Sequence, residues 1–181
     1  NLKGLFLENN EIQRIPKEFK NLKNLANLNL SENKISNLPK DLGNLKNLKI
    51  LNLYENKIKK IPKEFKNLWN LQWLNLSNNQ IQIIPKELGS LQKLQKLYLS
   101  NNQIRTIPKE LANLKNLSDL ILFNNPISTL PSSLVSIKEI NIKSTNISHL
   151  PKKICDKWKN DKYFITSDKS YEELCTTKAK K

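Results

Sequence analysis

Side chains able to do covalent or acid–base chemistry are scarce in this chain. The single histidine, His149, sits beside Leu150 and Pro151 with no serine or cysteine motif around it. There is no phosphate-binding glycine loop, no His-Glu-x-x-His pattern and no metal-ligand spacing, and Gly4, Gly43 and Gly89 are the only glycines. His149 reads as a turn residue, and neither a catalytic group, a cofactor nor a metal is expected. What remains is the chemistry of non-covalent recognition. Phe6, Ile50, Tyr54, Trp73, Tyr98, Ile121 and Phe123 supply apolar surface, and Glu32, Glu55, Lys96 and Asp119 supply charge among them.

These residues are set side by side by repetition. Asparagine recurs at 10, 33, 56, 79, 102 and 125, each time within Leu-x-x-Leu-x-Leu-x-x-Asn-x-Ile and each time with proline six residues later, a beat of 23 residues. Units of this length with apolar residues at fixed offsets stack, because none can bury its apolar face alone. The Leu-x-Leu step, as in Leu51 and Leu53, has period 2 and predicts a short strand, so the stacked units form one parallel sheet. After each proline the apolar residues fall every third position (Pro39, Leu42, Leu45, Leu48), which suits a 3₁₀ or short helical turn. The fold class expected is therefore an α/β solenoid, a leucine-rich repeat horseshoe with a concave parallel sheet and convex 3₁₀ turns. All six recurring asparagines are expected to point inward and satisfy backbone groups of their own and the adjacent unit.

The sixth unit is 20 residues long, since Pro131, Leu134 and Ile137 supply one three-residue step fewer, and in the seventh Thr145 replaces the ladder asparagine, which slips to Asn146. Adding one period to Ile140, Ile142 and Thr145 places an eighth, degenerate strand at Tyr163, Ile165 and Asp168. Ser170 to Cys175 then form a terminal helix with Ser170 and Glu173 as its capping box. Residues 1–151 are read as the solenoid, and residues 152–181 as its C-terminal capping segment.

Strand alternation assigns side chains to the concave face in columns. The first is Gly4, Asn27, Ile50, Trp73, Lys96, Asp119 and Glu139; the second is Phe6, Asn29, Asn52, Asn75, Tyr98, Ile121 and Asn141. A third, at the strand ends, is Glu8, Ser31, Tyr54, Ser77, Ser100, Phe123 and Lys143, and beyond it come Asn9, Glu32, Glu55, Asn78, Asn101, Asn124 and Ser144. Trp73, Tyr98 and Ile121 thus lie on successive strands about 5 Å apart, near Ile50, Tyr54 and Phe123. Such a band, rimmed by Asn and Ser, marks a partner site. The alternative is that these bulky side chains only shield neighbouring strands.

The repeats resemble the leucine-rich repeat family across residues 1 to about 151, most closely the bacterial type with Ile-Pro-Lys-Glu-Leu turns at 84–88 and 107–111. Lys- and Asn-rich repeats of this kind are similar to those of leptospiral proteins, which the resemblance implies are often exported and engage host surfaces. Resemblance to internalin-like repeats adds an adhesion domain such as a cadherin as a partner class. Secreted caps of the family often carry four cysteines. This chain has two, Cys155 and Cys175, and departs from that pattern.

Paired, those cysteines would staple the cap and imply an oxidising compartment; reduced, they are small buried hydrophobes. No apolar run is long enough for a transmembrane helix. The chain begins inside a repeat at Asn1 and Leu2, so a cap, signal peptide or earlier repeats are expected to precede it. The formal charge is +15, carried by lysines with only Arg14 and Arg105, a poverty that counts against dedicated phosphate recognition. Lys17, Lys40, Lys63, Lys86, Lys109 and Lys152 form an outer column, each of the first five followed by Glu or Asp, and the tail adds Lys178, Lys180 and Lys181. That column reads as a solvated face.

The leading expectation is a non-enzymatic protein–protein interaction module, secreted or on the cell surface, that binds a host or cell-surface receptor through Phe6, Glu32, Ile50, Tyr54, Glu55, Trp73, Lys96, Tyr98, Asp119, Ile121 and Phe123. One alternative is a binder of polyanions, glycosaminoglycan or anionic lipid, through the lysine columns, which steep salt dependence would reveal. Specific nucleic-acid binding is disfavoured because those columns lack interleaved aromatics. The other alternative is a cytoplasmic scaffold, which two free thiols would reveal.

Overall fold

Each Leu-x-Leu step forms a three-residue strand whose central leucine faces the core, buried from Leu28 to Leu120 and partly exposed at Leu5. The structure, a computed structural model, describes residues 1–176; Lys178, Lys180 and Lys181 lie outside the described residues. Eight parallel strands pair in sequence order: β1 Gly4–Phe6, β2 Asn27–Asn29, β3 Ile50–Asn52, β4 Trp73–Asn75, β5 Lys96–Tyr98, β6 Asp119–Ile121, β7 Glu139–Asn141 and β8 Ile165–Thr166. The register joins Leu5, Leu28, Leu51, Leu74, Leu97, Leu120 and Ile140 in one row. Four of these strands, β2, β3, β4 and β7, end on an asparagine that turns the chain. The Oδ1 atoms of Asn29, Asn52, Asn75 and Asn141 accept the N–H two residues on, at 3.0–3.2 Å.

Opposite the sheet run six 3₁₀ turns, Lys17–Asn21, Lys40–Asn44, Lys63–Asn67, Lys86–Ser90, Lys109–Asn113 and Ser132–Ser136. The preceding proline holds φ between −61° and −68°, and its carbonyl accepts the first N–H of the turn, as Leu42 N to Pro39 O at 3.1 Å. Between sheet and turns one core runs from Ile15 to Leu174. Turns approach closely where glycine sits: a Cβ on Gly43 would lie 2.4 Å from the Glu64 carbonyl oxygen, and one on Gly89 2.2 Å from that of Glu110.

The repeating asparagine is the main polar element of the core. Asn79 Nδ2 donates to Leu53 O, Leu76 O and Ser77 O at 3.0–3.1 Å, and its Oδ1 accepts Ile58 N–H at 2.9 Å. Asn33, Asn56, Asn102 and Asn125 repeat the scheme. Asn10 departs from the expectation of six inward residues. It is exposed, and its Nδ2 donates to Leu7 O and Glu8 O of its own unit.

Thr145 occupies the ladder place in the seventh unit, bridging to Asn125 while its hydroxyl donates to Ile142 O, and Asn146 is exposed. The missing step of the sixth unit leaves carbonyls that another residue satisfies. Lys157 Nζ donates to Val135 O at 2.8 Å and Ile137 O at 2.6 Å and lies 4.0 Å from the Phe164 ring centroid. Burial pushes this ammonium's pKa below the ordinary lysine value, with Asp161 opposing.

Lys157 sits on α1, Lys152–Asn160, a nine-residue α-helix in place of a five-residue 3₁₀ turn. That longer element corrects the expected eighth strand. Ile165 pairs with Ile140, two residues later than the 23-residue beat predicts, so Tyr163 is 73% exposed and Ile165 is buried in its stead, with Phe164 buried beside it. Asp168 accepts Ser144 N–H at 2.9 Å instead of taking a ladder place. The terminal helix α2, Tyr171–Cys175, carries the capping box between Ser170 and Glu173, and Leu150 N–H donates to Leu174 O at 2.8 Å. Of the two cysteine readings the structure holds the disulfide, Cys155 to Cys175, joining α1 to α2.

Candidate functional site

The concave face is the surface the strands leave open, and its register reproduces the first two expected columns, Gly4 through Glu139 and Phe6 through Asn141. The third column differs. Ser31, Ser77 and Ser100 are buried, because the chain is already turning inward there, while Tyr54 and Phe123 at equivalent places stay half-buried.

Trp73 on β4 and Tyr98 on β5 meet edge to face, with ring centroids 6.0 Å apart and planes at 89°, the arrangement that places the positive edge of one ring on the negative face of the other. Tyr98 joins Tyr54, Ile121 and Phe123 around a shallow depression of about 350 Å³ floored by Asn75, Asn78, Asn101, Ser77 and Ser100. Lys96 and Asp119 continue the Trp73 row, and Ile50 precedes it, 38% exposed. Phe6, 63% exposed, is not brought into the group: Asn29, Asn52 and Asn75 separate it from Tyr98 along the column.

Glu32 and Glu55 occupy turn positions with φ of 54° and 53°, the left-handed region, shared with Asn9, Asn78, Asn101, Asn124 and Ser144. Asparagine enters this region more readily than most residues, which accounts for its recurrence there. In the middle of the sheet these turn residues link up. Asn124 Nδ2 donates to Asn101 Oδ1 and Asn101 Nδ2 to Asn78 Oδ1, both at 2.6 Å, and Asn78 Nδ2 donates to the Tyr54 hydroxyl at 3.0 Å. Burial and the neighbouring carboxylates of Glu55 and Glu32 push the Tyr54 phenol above its usual value. Asn78, Asn101 and Asn124 were not among the site residues read from the sequence. The signal was their place one residue before the ladder asparagine, where the backbone conformation limits the residue types.

Such a surface offers amides, hydroxyls and apolar rings, and among the described residues no group of His, Cys, Asp and Glu could hold a metal ion. Family comparison agrees with the architecture. The model for a leucine-rich repeat region matches residues 40–129, and that for a single leucine-rich repeat matches 1–22 and 24–45. A leucine-rich repeat protein of Leptospira interrogans is 37% identical with a TM-score of 0.86, over 95% of this chain and 45% of its own. Internalin C2 of Listeria monocytogenes is 32% identical with a TM-score of 0.78, over 92% of this chain and 71% of its own. The ectodomain of a plant membrane receptor kinase from Arabidopsis thaliana, solved with Casparian strip integrity factor 2, is 28% identical with a TM-score of 0.82, over 97% of this chain and 22% of its own.

The chain therefore belongs to the leucine-rich repeat family, in its bacterial 23-residue form. It is a protein-interaction module by fold, and it spans under half the length of the leptospiral relative. Comparison with curated proteins returned no match. Among the described residues no helix is long and apolar enough to cross a membrane.

Proposed function

We propose that the chain is a non-enzymatic recognition module of an exported bacterial protein, and that it grips a host or cell-surface receptor by its concave face. Residues 1–151 form the recognition solenoid and the segment from Lys152 closes its end. The observation that carries this reading is the Trp73–Tyr98 pair beside a depression walled by Tyr54, Ile121 and Phe123, on a surface otherwise lined by amides and hydroxyls. Aromatic anchors surrounded by polar groups are what concentrate binding energy at interfaces. Glu32, Glu55, Lys96 and Asp119 stand at the rim, where charge tunes orientation and association rate. Ile50 extends the apolar surface toward β2, while Phe6 stands apart on β1 as a separate exposed ring. Pairing of Cys155 with Cys175 supports an oxidising compartment. Extracellular adhesion domains, cadherins included, are the first partner class to test.

The experiment titrates the purified chain against a panel of such domains, beside Trp73→Ala with Tyr98→Ala. Truncating a central aromatic anchor costs about 2 kcal/mol or more, roughly a thirtyfold loss of affinity. A partner bound equally well by parent and variant would place recognition elsewhere.

A further inference from the structure

Where the chain leaves each 3₁₀ turn and enters the next strand it forms a second rim, held by asparagines other than the buried ladder. Asn47 Nδ2 donates to Lys23 O at 2.8 Å, Asn70 to Lys46 O at 2.8 Å and Asn116 to Gln92 O at 2.6 Å. These bonds stack Lys23, Lys46, Trp69 and Gln92 one repeat apart, about 5 Å. Trp69 is 57% exposed, and Lys46 Nζ lies 4.8 Å from its ring centroid. Beside it a depression of about 570 Å³ is lined by Lys20, Asn21, Lys23, Asn44, Lys46 and Asn47.

Charge on this rim has one sign. Residues 19–30, 42–53, 65–76 and 88–99 contain no Asp or Glu, and their charges are lysines. The ion pairs among the described residues, Lys34–Glu11 and Lys152–Asp156, are elsewhere. The column after the prolines differs, since each of its first five lysines adjoins an acidic residue.

We propose that this rim binds a linear sulfated polysaccharide, independently of the concave site. Lys20, Lys23 and Lys46 meet sulfates, the amides of Asn21 and Asn44 meet hydroxyls, and the open face of Trp69 stacks on a sugar ring. Lysine serves sulfate as a point charge without the bidentate geometry that favours arginine. A single-stranded nucleic acid would require aromatics for successive bases, and a membrane surface would require several apolar side chains at the contact. Trp69 is the one large exposed hydrophobe on the rim.

The test measures binding of the whole chain to heparin oligosaccharides across a salt series, with phosphatidylserine vesicles and single-stranded DNA as competing polyanions. The triple variant Lys20→Gln, Lys23→Gln, Lys46→Gln is expected to lose tenfold or more in heparin affinity and to flatten the salt dependence. The charge-matched Lys40→Gln, Lys63→Gln, Lys86→Gln is expected to lose threefold or less. Trp69→Ala should weaken binding severalfold with the salt slope unchanged, and Trp73→Ala with Tyr98→Ala should leave heparin binding intact. Amide shifts confined to residues 20–24, 44–47 and 69–70 of the parent chain would support the site without any variant. Equal losses in the two lysine triples, shifts outside those residues, or vesicles or DNA binding as tightly as heparin would overturn the proposal.

Discussion

Replacing Asn79 with alanine should destabilise the chain by about 3 kcal/mol, whereas the same change at Asn10, in an identical sequence motif, should cost under about 0.5 kcal/mol. The difference follows from the partners. Truncating Asn79 leaves the buried Ile58 N–H with no acceptor, a loss of about 1–3 kcal/mol by itself. The three carbonyls that lose Nδ2 each keep another donor: Leu53 O keeps Asn56, Leu76 O keeps Asn102 and Ser77 O keeps Glu55 N–H, so each adds a few tenths. The vacated volume adds the rest. Asn10 is exposed, and water replaces its two local bonds. Urea unfolding followed by far-ultraviolet circular dichroism measures both midpoints. Asn79→Asp is a further control: it keeps an acceptor for Ile58 but turns its second oxygen toward three carbonyls, and should be at least as damaging as alanine. Equal losses at Asn10 and Asn79, or a loss below about 1 kcal/mol at Asn79, would refute the ladder as the source of the energy.

Three other outcomes are expected. Gly43→Ala should cost about 1–3 kcal/mol in the same assay, because the new methyl meets the Glu64 carbonyl and backbone must shift. Reducing Cys155–Cys175, which closes a loop of sequence separation 20, should lower stability by roughly 3 kcal/mol and open α1 and α2 to limited proteolysis. The Ser170 N–H, 2.6 Å from its oxygen, and then the Ser170 hydroxyl hold the Glu173 carboxyl below its usual range. Its small contribution is present above the ordinary carboxylate range and is lost as pH falls through the folded value. Protection of the Ser170 amide against exchange should therefore persist through the ordinary carboxylate range and fall only as pH drops below it, and Glu173→Gln should abolish that dependence.

The 23-residue beat alone determined the solenoid, the parallel register and the first two concave columns, because a one-residue slip would turn every core leucine to solvent. The capping box of α2 was equally legible, since it needs only Ser170 and Glu173 three residues apart. Where the beat failed, tertiary contacts decided. The longer α1 shifted β8 by two residues, and Lys157 reached back to the carbonyls that the shortened sixth unit left open. The choice between a disulfide and free thiols turned on α1 and α2 packing together, with the Cα atoms of Cys155 and Cys175 5.6 Å apart. The candidate sites divide in the same way. Period-2 alternation is a local property, and it placed Trp73 and Tyr98 on one face. The amide chain from Asn124 to Tyr54 and the lysine-flanked Trp69 arise only when one repeat lies on the next, because their bonds join residues 23 or 24 positions apart.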